Sequence, residues 1–329
     1  MKNILLLCGG GGSEHDISLI SADYILETLK FIEHFNVFKV EIMPNGDRID
    51  QNGELCELRK AGELYYPKSK RSEKLHFAIP CIHGAPGENG IIQSIFELMG
   101  LPYLGAGPEA SQLCFNKVST KLWLDALGIA NTPYIFLSEL NDNSIKKTAK
   151  FFEEHKDIFI KAASQGSSVG CYQVTDAKEI EKTLENAFGL SQYVLIEKTL
   201  TARELEVSVY EHQGEIKTTL PGEIICPDGF YTFEEKYSKG SHTSTDIEAK
   251  NLSDEILSKI KTYSAMAFKG LKLRHLSRID FFLTKDDEVY VNEINTFPGM
   301  NPISMFPKMM ENDGVKFSQF LKNIIDSET

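Results

Sequence analysis

Residues 277–302 read SRIDFFLTKDDEVYVNEINTFPGMNP. Two apolar runs, FFL and VYV, flank the polar stretch KDDE at 285–288, a rhythm that predicts a β-hairpin with strands at 279–283 and 289–294. Side chains along a strand alternate between its faces, so Glu293 and Asn295 share one face. Pairing of the strands brings Asp280 to the same end, and the three supply hard oxygen donors. Such a set suits Mg²⁺, which is held by a few carboxylates together with substrate phosphates. Acids at strand ends are ordinarily solvated, but the apolar runs predict a buried face here, and buried carboxylates need partners.

Working back along the chain, FIKAASQGSSVG at 159–170 ends an apolar strand on Lys161 and continues as a small, hydroxyl-rich loop of the kind that wraps a triphosphate. It lacks G-x-x-x-x-G-K-[ST], so it is no P-loop, and similar loops also join strands without binding anything. Lys117, Lys161, Lys198 and Lys236 sit on separate elements and together could meet several phosphate oxygens, although any one alone reads as a surface charge. At 8–18, CGGGGSEHDIS lies between a strand and a helix as a phosphate-binding glycine loop would. Neither register completes G-x-G-x-x-G, because Glu14 or His15 stands at the last glycine position, and a dinucleotide site is excluded. A carboxylate about 4 Å from a phosphate is repelled by roughly 4 kcal/mol at an effective dielectric near 20. Glu14 instead suits an ammonium group, approached closely by the glycines. The competing reading has Ser13 and Glu14 merely capping a helix at 16–30. His83, in PCIHGAPGENG at 80–90 with Glu88 behind it, is placed either for chemistry at the carboxyl end of a parallel sheet or as an ordinary turn histidine. TFEEKYSKGSHTST at 232–245 carries Lys236 and Tyr237 and reads as a lid over a site or as a surface loop.

The 329 residues predict about two domains, and 42% hydrophobic with 25% charged residues is ordinary for a soluble globular protein. A net charge of -12 argues against nucleic-acid or anionic-membrane partners. Cys8, Cys56, Cys81, Cys114, Cys171 and Cys226 show no C-x-x-C spacing and read as reduced core residues. With no signal-peptide pattern and no run of ~20 apolar residues, a cytoplasmic protein is expected. Strands at 3–8, 37–43 and 75–82 around a helix at 17–31 make a βαβ beginning and so a parallel sheet, followed by a helix at 89–99. A second unit has a helix at 115–127, strands at 158–161, 171–174 and 193–197, and a helix at 177–188. A third adds strands at 204–211 and 215–220 and helices at 254–268 and 315–325 to the hairpin.

GGGGSEHDIS, HGAPGENG, LPYLGAG, Lys117, KAASQGSSVG, LIEKTL with Glu204, FEEKY, RID and NEINTFPGMNPISMFP, in this order, resemble the D-alanine-D-alanine ligase family of the ATP-grasp fold, over residues 8–320. The resemblance implies an α/β protein of the ATP-grasp fold. Its N-terminal parallel α/β domain would occupy 1–106, followed by two α+β subdomains at 107–197 and 198–329 that clamp the nucleotide. The implied activity is ATP-dependent ligation of two D-alanines through a D-alanyl phosphate, in peptidoglycan precursor synthesis. Carried over by position, Lys117, Lys161, Ser168, Glu197, Lys198, Leu200 and Glu204 would hold ATP, with Lys236 on its γ-phosphate. Asp280, Glu293 and Asn295 would hold two Mg²⁺ ions, with Mn²⁺ able to substitute. Glu14 would pair with the ammonium of the first D-alanine and, with Ser167 and Tyr237, tie the glycine loop to the lid. His83 would lie beside the substrates, Arg278 and the Gly299 N–H would stabilise the tetrahedral oxyanion, and Ser304 with the Met305 N–H would take the second carboxylate. Tyr237 implies D-alanine as the second substrate, because relatives making D-alanyl-D-lactate tend to have histidine there. The resemblance further implies a homodimer whose partners are small-molecule substrates, without nucleic acid or membrane. The chain departs from the family at Ala162, Ala163 and Ser164, where proline, serine and arginine are usual, and at Phe297, where a small residue is common. Two other readings stand beside this one: a ligase that forms D-alanyl-D-lactate or D-alanyl-D-serine, and a nucleotide-binding regulatory module without catalysis.

Overall fold

The computed structural model describes residues 1–10, 12, 14–225 and 244–329. The first unit runs β1 (Lys2–Gly9), α1 (His15–Leu29), β2 (Phe35–Ile42), β3 (Arg48–Asp50), β4 (Glu57–Arg59), β5 (Glu63–Tyr66), β6 (Arg71–Lys74) and β7 (Phe77–Cys81). Its main sheet has the order β3-β2-β1-β7, with β1 parallel to both neighbours and β3 antiparallel at the edge. Ile4 to Cys8 are buried on both faces, which is why β1 reads as a continuous apolar run instead of an alternation. The short strands β4 to β6 form a separate three-stranded sheet that the sequence reading does not include. Helix α2 (Ile91–Met99) ends on Gly100 in the left-handed region (φ 62), the expected stop.

The one helix expected at 115–127 is two, α3 (Pro108–Phe115) and α4 (Lys117–Ala126). Asn116 between them is extended (φ -91, ψ 105), and its side chain accepts the Ser119 N–H, so it stops one helix and caps the next. Next come β8 (Tyr134–Leu137), α5 (Asp142–His155), β9 (Ile158–Ala162), β10 (Cys171–Val174), α6 (Ile180–Phe188) and β11 (Val194–Lys198). These strands make an antiparallel sheet of order β10-β9-β11-β8. The last unit contains β12 (Ala202–His212), β13 (Glu215–Thr218), β14 (Gly222–Ile225), β15 (Ser244–Asp246), α7 (Asp254–Gly270), β16 (Leu276–Thr284), β17 (Val289–Asn295), α8 (Met305–Asn312) and α9 (Phe317–Glu328). Its antiparallel sheet has the order β15-β14-β12-β16-β17, with β13 on β12.

Helices α8 and α9 pack back onto the first sheet. Phe306, Met310, Phe317, Phe320, Leu321 and Ile325 share one core with Ile4, Leu6, Cys8 and Ile79. Each such side chain gains about 1.5–3 kcal/mol on full burial, so this seam is a large part of what holds the first unit to the third. His275, 2% exposed, sits at the same junction. Its Nδ1 accepts the Gly105 N–H at 3.1 Å, its Nε2 lies 3.3 Å from Glu328 Oε1, and its backbone N–H donates to Glu211 Oε2 at 3.0 Å. Burial, aided by the Arg274 charge, lowers the imidazole pKa from 6.5 to about 4. A base whose folded pKa is depressed takes up a proton on unfolding, so this stabilisation is complete above pH 6.5 and is lost as pH falls toward 4. In His275→Gln, Tm is therefore expected to fall less steeply between those pH values than in the unaltered protein; parallel slopes would contradict the assignment.

Candidate active site

The hairpin pairs Asp280 with Glu293 and Arg278 with Asn295. Strict alternation along β17 would put Glu293 and Asn295 on the face of Val289 and Val291, which is core. One extra residue, Asn292, interrupts the ladder between the Asp280/Glu293 and Phe281/Val291 pairs. Such a bulge re-aims the side chains that follow it. Val289, Val291 and Ile294 accordingly enter the core, whereas Glu293 and Asn295 join Arg278 and Asp280 at a cavity wall. The expectation of a buried acidic face is corrected to this extent: Asp280 is buried, but Glu293 and Asn295 are half-buried.

Arg278 grips Asp280 in bidentate fashion, Nε to Oδ1 and Nη2 to Oδ2, each at 2.7 Å, and its Nη2 lies 3.4 Å from Glu206 Oε1. Burial opposes the guanidinium charge, but Asp280 and Glu206 outweigh it and hold the proton more firmly than water does. Asn295 Nδ2 donates to Asp280 Oδ2 at 3.0 Å. Among the described residues no three Asp, Glu, His or Cys side chains group as a cation site. The donor set for a divalent cation is thus two carboxylates and the Asn295 amide, all hard oxygens, which fits Mg²⁺ or Mn²⁺.

Behind this wall, Glu197 of β11 is 2% exposed. Its two oxygens lie 2.5 Å from Lys121 Nζ of α4 and 2.5 Å from Lys161 Nζ of β9. Burial works against the carboxylate charge, but the two ammonium groups prevail and lower its pKa to about 2. At Lys161 burial is likewise outweighed, by Glu197, and the pKa rises, whereas at Lys121 burial dominates and the pKa falls. The break at Asn116 positions the phosphate-type loop. The Lys117 N–H donates to Ala163 O at 2.8 Å, Lys117 Nζ to Gln165 O at 2.7 Å, and Asn116 Nδ2 to Ser164 Oγ at 3.2 Å. Lys117 Nζ is also 3.7 Å from Glu293 Oε2, which ties the loop to the hairpin. The unusual Ala162 is buried beneath Gly170, where any Cβ would come within 2.7 Å of the Ala162 methyl. The other unusual residue, Phe297, is buried with its ring centroid 6.4 Å from that of His83.

Glu14 stands at the N-cap of α1 but makes no capping hydrogen bond through its side chain. Its Oε1 accepts the Ser167 hydroxyl at 2.5 Å. A Cβ on Gly84 would lie 2.9 Å from Glu14 Oε2 and one on Gly166 3.2 Å from it, so two glycine loops close on this carboxylate. Ser13, the other half of the capping reading, lies outside the described residues. His83 follows β7 and is buried, with Nε2 2.9 Å from Ser21 Oγ and Nδ1 3.6 Å from Glu88 Oε1. Gly299 abuts Ser304, since a Cβ there would meet Ser304 Oγ at 2.8 Å. Ser304 accepts the Asn301 N–H at 3.1 Å and precedes α8, whose first N–H groups, beginning at Met305, favour an anion.

One cavity of about 370 Å³ collects Glu14, His83, Lys117, Lys161, Ser167, Ser168, Glu197, Lys198, Leu200, Glu204, Arg278, Asp280, Glu293, Asn295, Gly299, Ser304 and Met305 along its walls. Lys236, Tyr237 and Cys226 lie outside the described residues. Lys121 and Glu206 are absent from the sequence reading. The signals were there: Lys121 is one helical turn beyond Lys117, and Glu206 lies two residues past Glu204 on an alternating strand. No helix among the described residues is long and apolar enough to cross a membrane.

The architecture that builds this cavity is the ATP-grasp fold. Residues 3–106 match the family D-ala D-ala ligase N-terminus, and residues 123–326 match D-ala D-ala ligase C-terminus. The chain belongs to the D-ala D-ala ligase family. It is 54% identical over 328 residues to the D-alanine--D-alanine ligase of Shewanella oneidensis, covering 99% of this chain and 98% of that one. The crystal structure of D-alanyl-alanine synthetase A from Vibrio cholerae superposes with a TM-score of 0.94 at 51% identity, covering 99% of this chain and 98% of that one. The VanG D-Ala:D-Ser ligase of Enterococcus faecalis gives a TM-score of 0.87 at 26% identity, covering 100% and 99%.

Proposed function

We propose that the chain joins two D-alanines into D-alanyl-D-alanine at the expense of ATP, for peptidoglycan precursor synthesis. One observation carries the reading. A single cavity presents lysines, a hard-oxygen set, the Glu14 carboxylate and the start of α8, which suit a polyphosphate, a divalent cation, an ammonium group and a carboxylate in turn.

A carboxylate is a poor electrophile. Transfer of the γ-phosphoryl group of ATP to the first D-alanine carboxylate creates an acyl phosphate, and attack by the second amine on that carbonyl expels phosphate. Glu14 holds the first ammonium group, while Lys117, Lys161 and Lys236 neutralise phosphate charge, a task that matters more in phosphoryl transfer than covalent participation. Divalent cations held by Asp280, Glu293 and Asn295, two in this reading and Mg²⁺ or Mn²⁺ by donor type, add charge neutralisation at the phosphates. Ser168, Glu197, Lys198, Leu200 and Glu204 hold the rest of the nucleotide. Arg278 has Nη1 outside its Asp280 and Glu206 contacts, and with the Gly299 N–H it stabilises the oxyanion. Ser304 and the Met305 N–H receive the second carboxylate. His83, fixed by Ser21 and Glu88, stands beside the substrates. Tyr237, with Ser167 and Glu14, closes the site and favours D-alanine over D-lactate. In this reading residues 1–106 serve the first amino acid, 107–197 and 198–329 clamp the nucleotide, and the protein works as a cytoplasmic homodimer.

The test is phosphate release from ATP and Mg²⁺ with D-alanine, with L-alanine, and with D-alanine plus D-lactate, products being identified by mass. D-alanine-dependent release with dipeptide formation is expected. Release only with another carboxylate replaces the substrate, and none at all favours a regulatory nucleotide-binding module. Asn295→Ala is expected to raise the Mg²⁺ concentration for half-maximal turnover roughly tenfold, because a third of the protein donor set is gone. An unchanged Mg²⁺ dependence removes Asn295 from the cation site.

A further inference from the structure

Lys121 has no place in the chemistry above, yet it is 1% exposed, among the costliest positions for an ammonium group. It does not line the cavity; Glu197 and Lys161 do. The three side chains form a row in which Lys121 meets one oxygen of Glu197 from behind and Lys161 meets the other from the cavity side, each at 2.5 Å. The remaining neighbours of Lys121 do not replace Glu197 as counter-charge: the Tyr134 ring centroid lies 5.8 Å away, and Asp125 is engaged by Tyr134 Oη at 2.7 Å and Asn131 Nδ2 at 2.7 Å.

With Lys121 in place the row carries one net positive charge, and Lys161 faces the cavity with that charge uncancelled. Without it, Glu197 and Lys161 would form a neutral pair, and the cavity would lose a cation where polyphosphate is to bind. We infer that Lys121 is a positioning residue of the nucleotide site: it neutralises Glu197 from behind and so frees the charge of Lys161 for the phosphates. The inference rests on the nucleotide reading of the cavity. It separates two parts of the ligand, because a back-side counter-charge acts on the phosphates and not on the uncharged nucleoside.

The experiment measures dissociation constants of Mg²⁺-ATP and of adenosine by calorimetry, in the unaltered protein and in variants whose folding is checked by circular dichroism. Lys121→Met is expected to weaken ATP about tenfold relative to adenosine, and more at low salt than at high salt. Lys121→Arg, which keeps the charge, should hold the ATP-to-adenosine ratio within about threefold of the unaltered value. Lys121→Met with Glu197→Gln removes charge and counter-charge together and should also restore the ratio to within about threefold. An unchanged ratio in folded Lys121→Met, or equal weakening of both ligands, overturns the inference. Should Lys121→Met alone not fold, the double variant decides: a restored ratio supports the inference, and a tenfold loss overturns it. If the unaltered protein binds no ATP, the nucleotide reading itself fails, an outcome distinct from an unchanged ratio.

Discussion

Arg278→Ala is expected to lower kcat by about 10²–10³-fold while ATP affinity stays within about threefold of the unaltered value. The prediction follows from where the guanidinium is held. Two of its nitrogens are fixed by Asp280, and the group cannot swing away from the cavity without leaving that acid behind. Donors fixed in advance are worth most where charge develops only in the transition state, which here is the carbonyl oxygen under attack. Arg278→Lys should recover little, because one ammonium cannot both pair with Asp280 in bidentate fashion and reach the substrate. Steady-state rates with calorimetric ATP affinities make the test. Parallel loss of ATP binding and of rate would reassign Arg278 to ground-state binding.

Glu14→Gln should raise KM for the first D-alanine roughly 10- to 100-fold, the range for losing a hydrogen bond to a charged partner. The amide is nearly isosteric, so it fits between the Gly84 and Gly166 loops and can still accept the Ser167 hydroxyl; what disappears is the charge. ATP affinity should remain within about twofold. Equal weakening of ATP and amino acid would show that the residue holds the loops together and does not select an ammonium group.

Some of this site was legible because its signals are local. Runs such as FFL and VYV with a polar turn between them place a hairpin, and a glycine run interrupted by Glu14 excludes a pyrophosphate cradle on charge alone. The structure then depends on details that periodicity does not report. Asn292 carries no residue-type mark of a bulge, yet it decides whether Glu293 and Asn295 meet the core or the cavity. Asn116 breaks a run that reads as one helix, because its side chain serves the Ser119 N–H better than it serves a helix interior. The helix Asp142–His155 carries a capping box, with Ser144 N–H on Asn141 Oδ1 and the Asn141 N–H on Ser144 Oγ, a signal that was present and went unread. The burial of Lys121 could not be read at all, since only the approach of β11 and β9 turns a one-turn lysine repeat into a charge row.

The seam between the first sheet and the two last helices has a consequence for biosynthesis. The ribosome delivers β1, β2 and β7 early, but the partners of Ile4, Leu6 and Ile79 on one face arrive only with Phe306, Phe317 and Phe320. At ~5–20 residues per second, the stretch from Cys81 to Met305 takes on the order of ten seconds or more to make. Throughout that interval the nascent sheet presents an apolar face to its surroundings, which makes it a natural client for a ribosome-associated holdase.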